Sequence, residues 1–454
     1  MSHVNRVESG RGPFNVRFAI LLCTLLGVVG AQASEVPPKT QSAVKALRNQ
    51  PAVKAALEQI RREDERTLEE QIEIAEIPSP PGKEQTRAND YVRRLRELGL
   101  IDVTIDTEGN VIARRPGARR DAPMLVVSAH LDTVFAEGTN VKVRRDGKRY
   151  YGAGIGDDAR GLSVLLTVLR AMQENKLRTQ GDVLLVGTVG EEGLGNLRGV
   201  KALFRDRTDI DGFISVDNME SPRLAPGESE LVARAVGSHR WQISFVGPGG
   251  HSYENFGTPS AVHALGRAVS LISDLQPPAE PKTTFTVATV SGGTTINAIA
   301  EKAELRIDIR SESATALAAM EEQILAAADR AGVEEGKRWG ADPIRVERTL
   351  LGDRPAGAGS SDNPVAMAWT GAVMALGQKA PKVVAASTDA NVPMGLGIPS
   401  ITASGGGIAD KAHSLDEWYE PVNAWVGPQG LLLTTLALVG LEGGPKPLLT
   451  DRAR

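Results

Sequence analysis

Seven residues stand out in the 454-residue chain for the chemistry they could do: His130, Asp132, Asp157, Glu191, Glu192, Asp217 and His413. Five follow short apolar, β-branched runs: MLVVSA runs into His130-Leu131-Asp132, DVLLVGTVG into Glu191-Glu192, and GFISV into Asp217. Such runs suit buried strands, and where a strand ends its side chains become free for chemistry. Asp157 lies in the glycine-flanked GIGDDARG, ahead of the helical pattern LSVLLTVLRAM, and His413 in the loop SGGGIADKAHSLD. Two imidazoles and three carboxylates can hold two divalent ions if one carboxylate bridges them, the pair lying about 3.5–4 Å apart. Two such charges lower the pKa of a nearby water towards about 7. One acid must then stay outside the coordination shell to take that water's proton and pass it to a leaving group. Adjacent glutamates are a natural source of one ligand and one base.

The elements that would position these residues follow from periodicity. After a Pro-containing spacer at 36–40, residues 42–76 carry apolar positions at helical spacing amid dense charge, interrupted near Pro51. IPSPPGKE at 77–84 stops that stretch, and 85–98 forms a helix closed by Gly99. From 101 to 235 strands alternate with helices, which indicates a largely parallel α/β sheet covered on both faces. Ligands in such sheets collect beyond the C-terminal strand ends, where the candidate residues fall. Between 237 and 350 the order becomes β-α-β-β-α-β, which fits an inserted ferredoxin-like α+β unit; Thr258 is the expected N-cap of its first helix, with Pro259 in the first turn. The α/β pattern resumes from about 352. His239 and His263 read as structural, and Glu321-Glu322 and the charges of 61–66 as solvated helix faces.

Length alone suggests about two domains. Arg6, Arg11 and Arg17 precede the 14-residue apolar run FAILLCTLLGVVGA, and Ala31-Gln32-Ala33 has the small residues of a cleavage site. Residues 1–33 therefore read as a secretory signal cut after Ala33, which places the mature chain in the periplasm or outside the cell. A membrane anchor is the alternative, although a span needs about 20 apolar residues; a lipoprotein site at Cys23 is disfavoured by the leucines before it. Cys23 is the only cysteine, so cleavage leaves a chain with no disulfide, cysteine nucleophile or Cys-type zinc site. Removing three Arg and one Glu leaves a charge of about −6, which gives no reason to expect nucleic acid or an anionic membrane as partner. No stable membrane span is expected after cleavage.

The ordered set HLD, GIGDDARG, EEG, SVD, GGH and the late AH resembles the di-zinc exopeptidase and deacylase family of peptidase T, glutamate carboxypeptidase, aminoacylase-1 and acetylornithine deacetylase, from about residue 70 to the C-terminus. Each motif is weak alone; the order is specific. The resemblance implies a three-layer zinc-exopeptidase catalytic domain, residues 42–236 and 351–454, interrupted by a lid and dimerisation domain at 237–350. It implies two Zn2+ per subunit, with Co2+ or Mn2+ as substitutes. His130 and His413 would each bind one ion, Asp157 would bridge them, and Glu192 and Asp217 would complete the sets. Asp132 would orient His130, and Glu191 would be the general base. His251 in GPGGHS would reach a dimer partner's site to stabilise an oxyanion, Asn297 and Arg310 would hold substrate, and the glycines at 405–407, Gly405 and Gly406 among them, would let backbone approach it. DDARG lacks a lysine, and NAIAEK a proline, that many relatives carry. Small peptides cleaved from an end are the expected substrates, N-acyl amino acids the alternative, and a non-catalytic binding module of the same fold the rival from another class.

Overall fold

The computed structural model describes residues 35–217, 221–357 and 359–450; the expected signal segment and its cleavage site lie outside them. Its largest sheet has eight strands in the spatial order Val103–Ile105, Val111–Arg115, Val183–Thr188, Leu125–His130, Gly212–Val216, Ser400–Ala403, Glu230–Ala235, Lys382–Ala386. The middle four run parallel. Antiparallel pairing enters on both sides, at Val111–Arg115 and between Ser400–Ala403 and Glu230–Ala235, so the sheet is mixed rather than largely parallel. Every residue of Leu125–His130, Val183–Thr188 and Gly212–Val216 is buried, as strands covered on both faces must be.

Alternate side chains of these strands feed two apolar layers. Leu125, Val127, Val183, Leu185 and Ile214 pack with the helices Asp64–Ala75, Ala159–Glu174, Pro364–Ala375 and Val426–Val439. Val126, Leu184, Val186 and Phe213 face the other way, against Leu203 and Phe204 of the helix Arg198–Asp206 and Val392 and Met394 of Asn391–Gly395. Each fully buried Leu, Val or Phe stabilises such a layer by roughly 1.5–3 kcal/mol. The N-terminal charged stretch forms the helices Pro38–Asn49, Pro51–Arg62 and Asp64–Ala75. The interruption expected near Pro51 is there, one helix ending at Asn49 and Pro51 opening the next, while Pro38 starts a helix inside the expected spacer. Both follow from the ring's fixed φ, which suits a first helical position where no N–H bond is lost.

The strands Thr283–Gly292, Lys302–Ser311, Gly237–Val246 and Arg345–Arg354 form a second sheet in that spatial order, every pair antiparallel. With the helices Ala261–Ser273 and Ala314–Trp339, the chain order is that of a ferredoxin-like unit. It has its own core around Ile243, Phe245, Leu305, Ile307, Met320 and Ile324. Its first helix begins two residues later than the sequence suggested: Thr258 spends its amide on Asn255 O at 3.1 Å, and Ser260 becomes the cap residue. The Ser260 amide is taken by Glu335 Oε1 at 3.3 Å; Glu335, fully buried, also accepts from Arg267 and Trp339 and pairs with His263. Glu321 is likewise no free surface acid, since it receives Trp241 Nε1 at 2.5 Å and faces His239 Nδ1 at 3.0 Å. A small sheet of Ile408–Asp410, Trp418–Glu420, Arg149–Tyr151 and Arg144–Asp146 joins the loop before Asp157 to the loop carrying His413.

Candidate metal centre

The parallel strands deliver His130, Glu191, Glu192 and Asp217 to one point, where the loops carrying Asp157 and His413 meet them. Three trios have ligand atoms within 4.8 Å of one another: His130, Asp157 and Asp217; His130, Glu191 and Glu192; Asp157, Glu192 and His413. Asp157 stands between the imidazoles, with Oδ1 2.8 Å from His130 Nε2 and Oδ2 3.1 Å from His413 Nε2. His413 Nε2 is also 2.9 Å from Glu192 Oε1. Residues separated by up to 283 positions thus share one small volume.

Behind the donors lies a set of carboxylates that grip main-chain amides. Asp132 accepts from the amides of Glu191 at 3.0 Å and Glu192 at 2.9 Å, which sets the glutamate pair. Its carboxylate is 3.6 Å from His130 Nδ1, which lies closer, at 3.1 Å, to the Asp132 carbonyl. Asp158 accepts from the His130 amide at 3.0 Å and caps the helix Ala159–Glu174 through the Gly161 amide at 2.9 Å. Glu417 accepts from the amides of Gly154, Gly156 and Asp157 at 2.8, 2.8 and 3.1 Å. These bonds fix where the donors stand without using the donors' own side chains.

The electrostatics ask for cations. Burial raises the Asp217 carboxyl to about 7, with the Asp157 charge adding to it. Burial pushes Glu191 well above the usual carboxylate range against the pull of Arg354, and pushes Asp158 well above it against the pull of His130. Asp157 is the exception: burial opposes its ionisation, but hydrogen bonds from His130 and His413 hold it below the ordinary value. Hydrogen bonds that it donates to the Asp157 and Glu192 carboxylates lift the His413 imidazole to about 11. Among the described residues Arg354 is the only guanidinium hydrogen-bonded to one of these donors, too little positive charge for so many buried acids. Imidazole nitrogens and carboxylate oxygens with surplus negative charge fit one or two divalent cations of the zinc, manganese or cobalt kind.

The donors open on a cleft of about 550 Å³, whose walls include Ser221, Arg240, Arg310, Arg354, Thr388 and Lys411. Arg310 reaches this cleft, with Nε tied to Asp308 Oδ2 at 2.6 Å. His251 and Asn297 do not line it; both are exposed at the short two-stranded sheet where Gly250-His251 pairs with Ala298-Ile299. Gly405 and Gly406 are also elsewhere. Gly405 packs on Arg160, which donates to its carbonyl at 2.9 Å, and Gly406 accepts from the Tyr419 hydroxyl at 3.0 Å. A Cβ on Gly405 would stand 2.8 Å from Arg160 Cγ, and one on Gly406, whose φ is +79°, 2.5 Å from Ala424 O and 2.8 Å from Gly427 N at the start of the last long helix, so neither position has room for a side chain.

Sequence reasoning missed Arg354, Asp389 and Glu417. Asp389 follows the strand Lys382–Ala386 and receives Thr188 Oγ1 at 2.5 Å, so the strand-end rule that found Asp217 would have found it. Arg354 and Glu417 carry no local signature, because their partners are 163 and about 260 residues away.

The fold and the site together define a three-layer α/β protein with a candidate cation centre at the carboxyl ends of its parallel strands. Residues 126–432 match the family model for peptidase family M20/M25/M40, and the chain belongs to that family. A 270-residue stretch is 27% identical to a peptidase T-like protein of Yersinia pestis, covering 52% of this chain and 62% of that protein. The fold is similar to that of a tripeptidase from Staphylococcus aureus, with a TM-score of 0.67 and 22% identity over 82% of this chain and 97% of the other. It is also similar to that of a dinuclear metal-binding M20 peptidase from Bacillus subtilis, with a TM-score of 0.61 and 17% identity over 84% and 99%. The chain spans between 34% and 62% of the length of the first curated relatives it matches.

Proposed function

We propose that this chain is a divalent-metal-dependent exopeptidase that hydrolyses terminal amide bonds of di- and tripeptides. The observation that carries this reading is the pair of trios sharing Asp157, which would offer each of two cations its own imidazole and a common carboxylate. His130 and Asp217 would hold one, Glu192 and His413 the other, zinc being the first candidate. When bound, such a pair supplies Lewis-acid polarisation of the carbonyl and a nucleophile at neutral pH.

The chain's own residues do the remainder. Glu191 is buried in the cleft and more basic than an ordinary carboxylate, which suits it to take a proton from water and return it to the departing amine. Asp132 keeps Glu191 and Glu192 in place through their amides. Arg310, on the cleft wall, would grip a substrate carboxylate, for which a guanidinium's paired donors are suited. His251 and Asn297, exposed on the inserted unit, would act on a second copy's cleft in a homodimer. Export rests on the N-terminal sequence alone.

The test is hydrolysis of a panel of di- and tripeptides and of N-acyl amino acids by the purified chain, with and without chelator. Peptide cleavage that chelator abolishes and added Zn2+ restores supports the reading. Cleavage confined to N-acyl amino acids would replace it with a deacylase, and chelator-resistant cleavage would remove the metal from it.

A further inference from the structure

Glu191 is tied to more than its neighbours at the strand ends. Arg354 Nη1 lies 3.2 Å from Glu191 Oε1, and Arg354 Nη2 donates to the Glu191 carbonyl. Both side chains are buried, and the same Nη1 lies 3.2 Å from Ser387 Oγ. Arg354 is the last residue of Arg345–Arg354, an edge strand of the inserted sheet, at the point where the chain returns to the larger sheet. Two further contacts hold the rest of the loop from the inserted side, and a third holds the helix that follows it. Arg240 Nη1 donates to Gly193 O at 2.5 Å, the Asp353 amide donates to Asn196 Oδ1 at 2.8 Å, and Lys201 donates to the Asp353 carbonyl. The loop that carries Glu191 is therefore gripped by Asp132 on one side and by the inserted unit on the other.

We propose that Arg354 is a positioning residue: it fixes the Glu191 carboxylate and its peptide, and so makes the placement of that carboxylate depend on how the inserted unit is seated. This rests on Glu191 being the base. A planar guanidinium offers two donors in fixed geometry, so it can hold a carboxylate oxygen and a carbonyl of one residue together; an ammonium on a flexible stem cannot do both as well. A base displaced by about 1 Å can cost on the order of 100-fold in rate, which is the size of effect such a residue controls.

The experiment compares the full chain with Arg354→Gln and Arg354→Lys. Metal content, kcat and KM on a dipeptide, and amide hydrogen exchange of residues 190–197 are measured for each. In Arg354→Gln we expect kcat to fall roughly 10- to 100-fold with KM changed far less, metal content as in wild type, and faster exchange confined to 190–197. Arg354→Lys should recover part of both losses. Unchanged exchange at 190–197 in both variants would overturn the proposal, as would a rate loss that follows lost metal. A wild-type chain that binds metal but cleaves no peptide would defeat the exopeptidase reading instead, while the exchange result would still decide whether Arg354 holds the loop.

Discussion

At the scale of single residues, the centre is a crowd of acids whose protonation depends on a cation being present. Glu191→Gln keeps the shape of the side chain and removes the proton acceptor. It should lower peptide hydrolysis by about 10²–10⁴-fold while the metal content, measured by elemental analysis, stays at the wild-type level. The metal-free chain should also show an inverted pH dependence. Burial raises Asp389 to about 6, Asp217 to about 7 and Glu417 to about 8, and lifts Glu191 and Asp158 above their ordinary range. A carboxyl with a raised folded pKa still holds its proton in the folded chain when the unfolded chain has released it. Stability therefore falls as pH rises from the unfolded value through the folded one, by up to about 1.4 kcal/mol per pH unit for each such group. Thermal melts of chelated protein should move down between pH 5 and 8, and saturating Zn2+ should remove that slope, adding about 2.7 kcal/mol at 100 times Kd.

At the scale of elements, the decisive contacts are between loops. Glu417 belongs to the loop of His413 yet holds the amides of Gly154, Gly156 and Asp157, so one buried side chain sets the separation of two donor loops. Glu417→Gln cannot accept all three bonds equally, and chelator-competition titration should show divalent-cation affinity about 10–100-fold weaker, the usual range for a group that orients ligands. An unchanged affinity would mean that the small sheet through Arg149–Tyr151 and Trp418–Glu420 fixes the loops without it. The donors themselves were legible because β-branched runs such as MLVVSA and GFISV mark strands, and strand ends mark sites. What stayed hidden had no local pattern. The three-residue strands Arg144–Asp146, Arg149–Tyr151, Ile408–Asp410 and Trp418–Glu420 are too short to show an alternation, and Arg354 reads as one more charge at the end of an exposed strand. The N-cap of the helix Ala261–Ser273 was misplaced because Glu335, 75 residues on, decides which amide starts it.

At the scale of the whole molecule, two sheets with separate cores divide the work: the eight-stranded one gathers the donors, and the four-stranded one reaches the loop of Glu191 through Arg240, Asp353 and Arg354. If His251 serves a second copy's cleft, light scattering should give twice the chain mass. Mixing Glu191→Gln with His251→Ala should then partly restore the activity each lacks, since one mixed site keeps both residues; no recovery on mixing would confine His251 to its own chain. The most direct measurement of the central claim is the metal content of the purified chain set beside its peptide hydrolysis during chelation and reloading. The expected result is about two divalent cations per chain, as a carboxylate-bridged pair requires, with activity lost and regained as they leave and return. A chain that binds no divalent cation, or that cleaves peptides as fast without one, would contradict it.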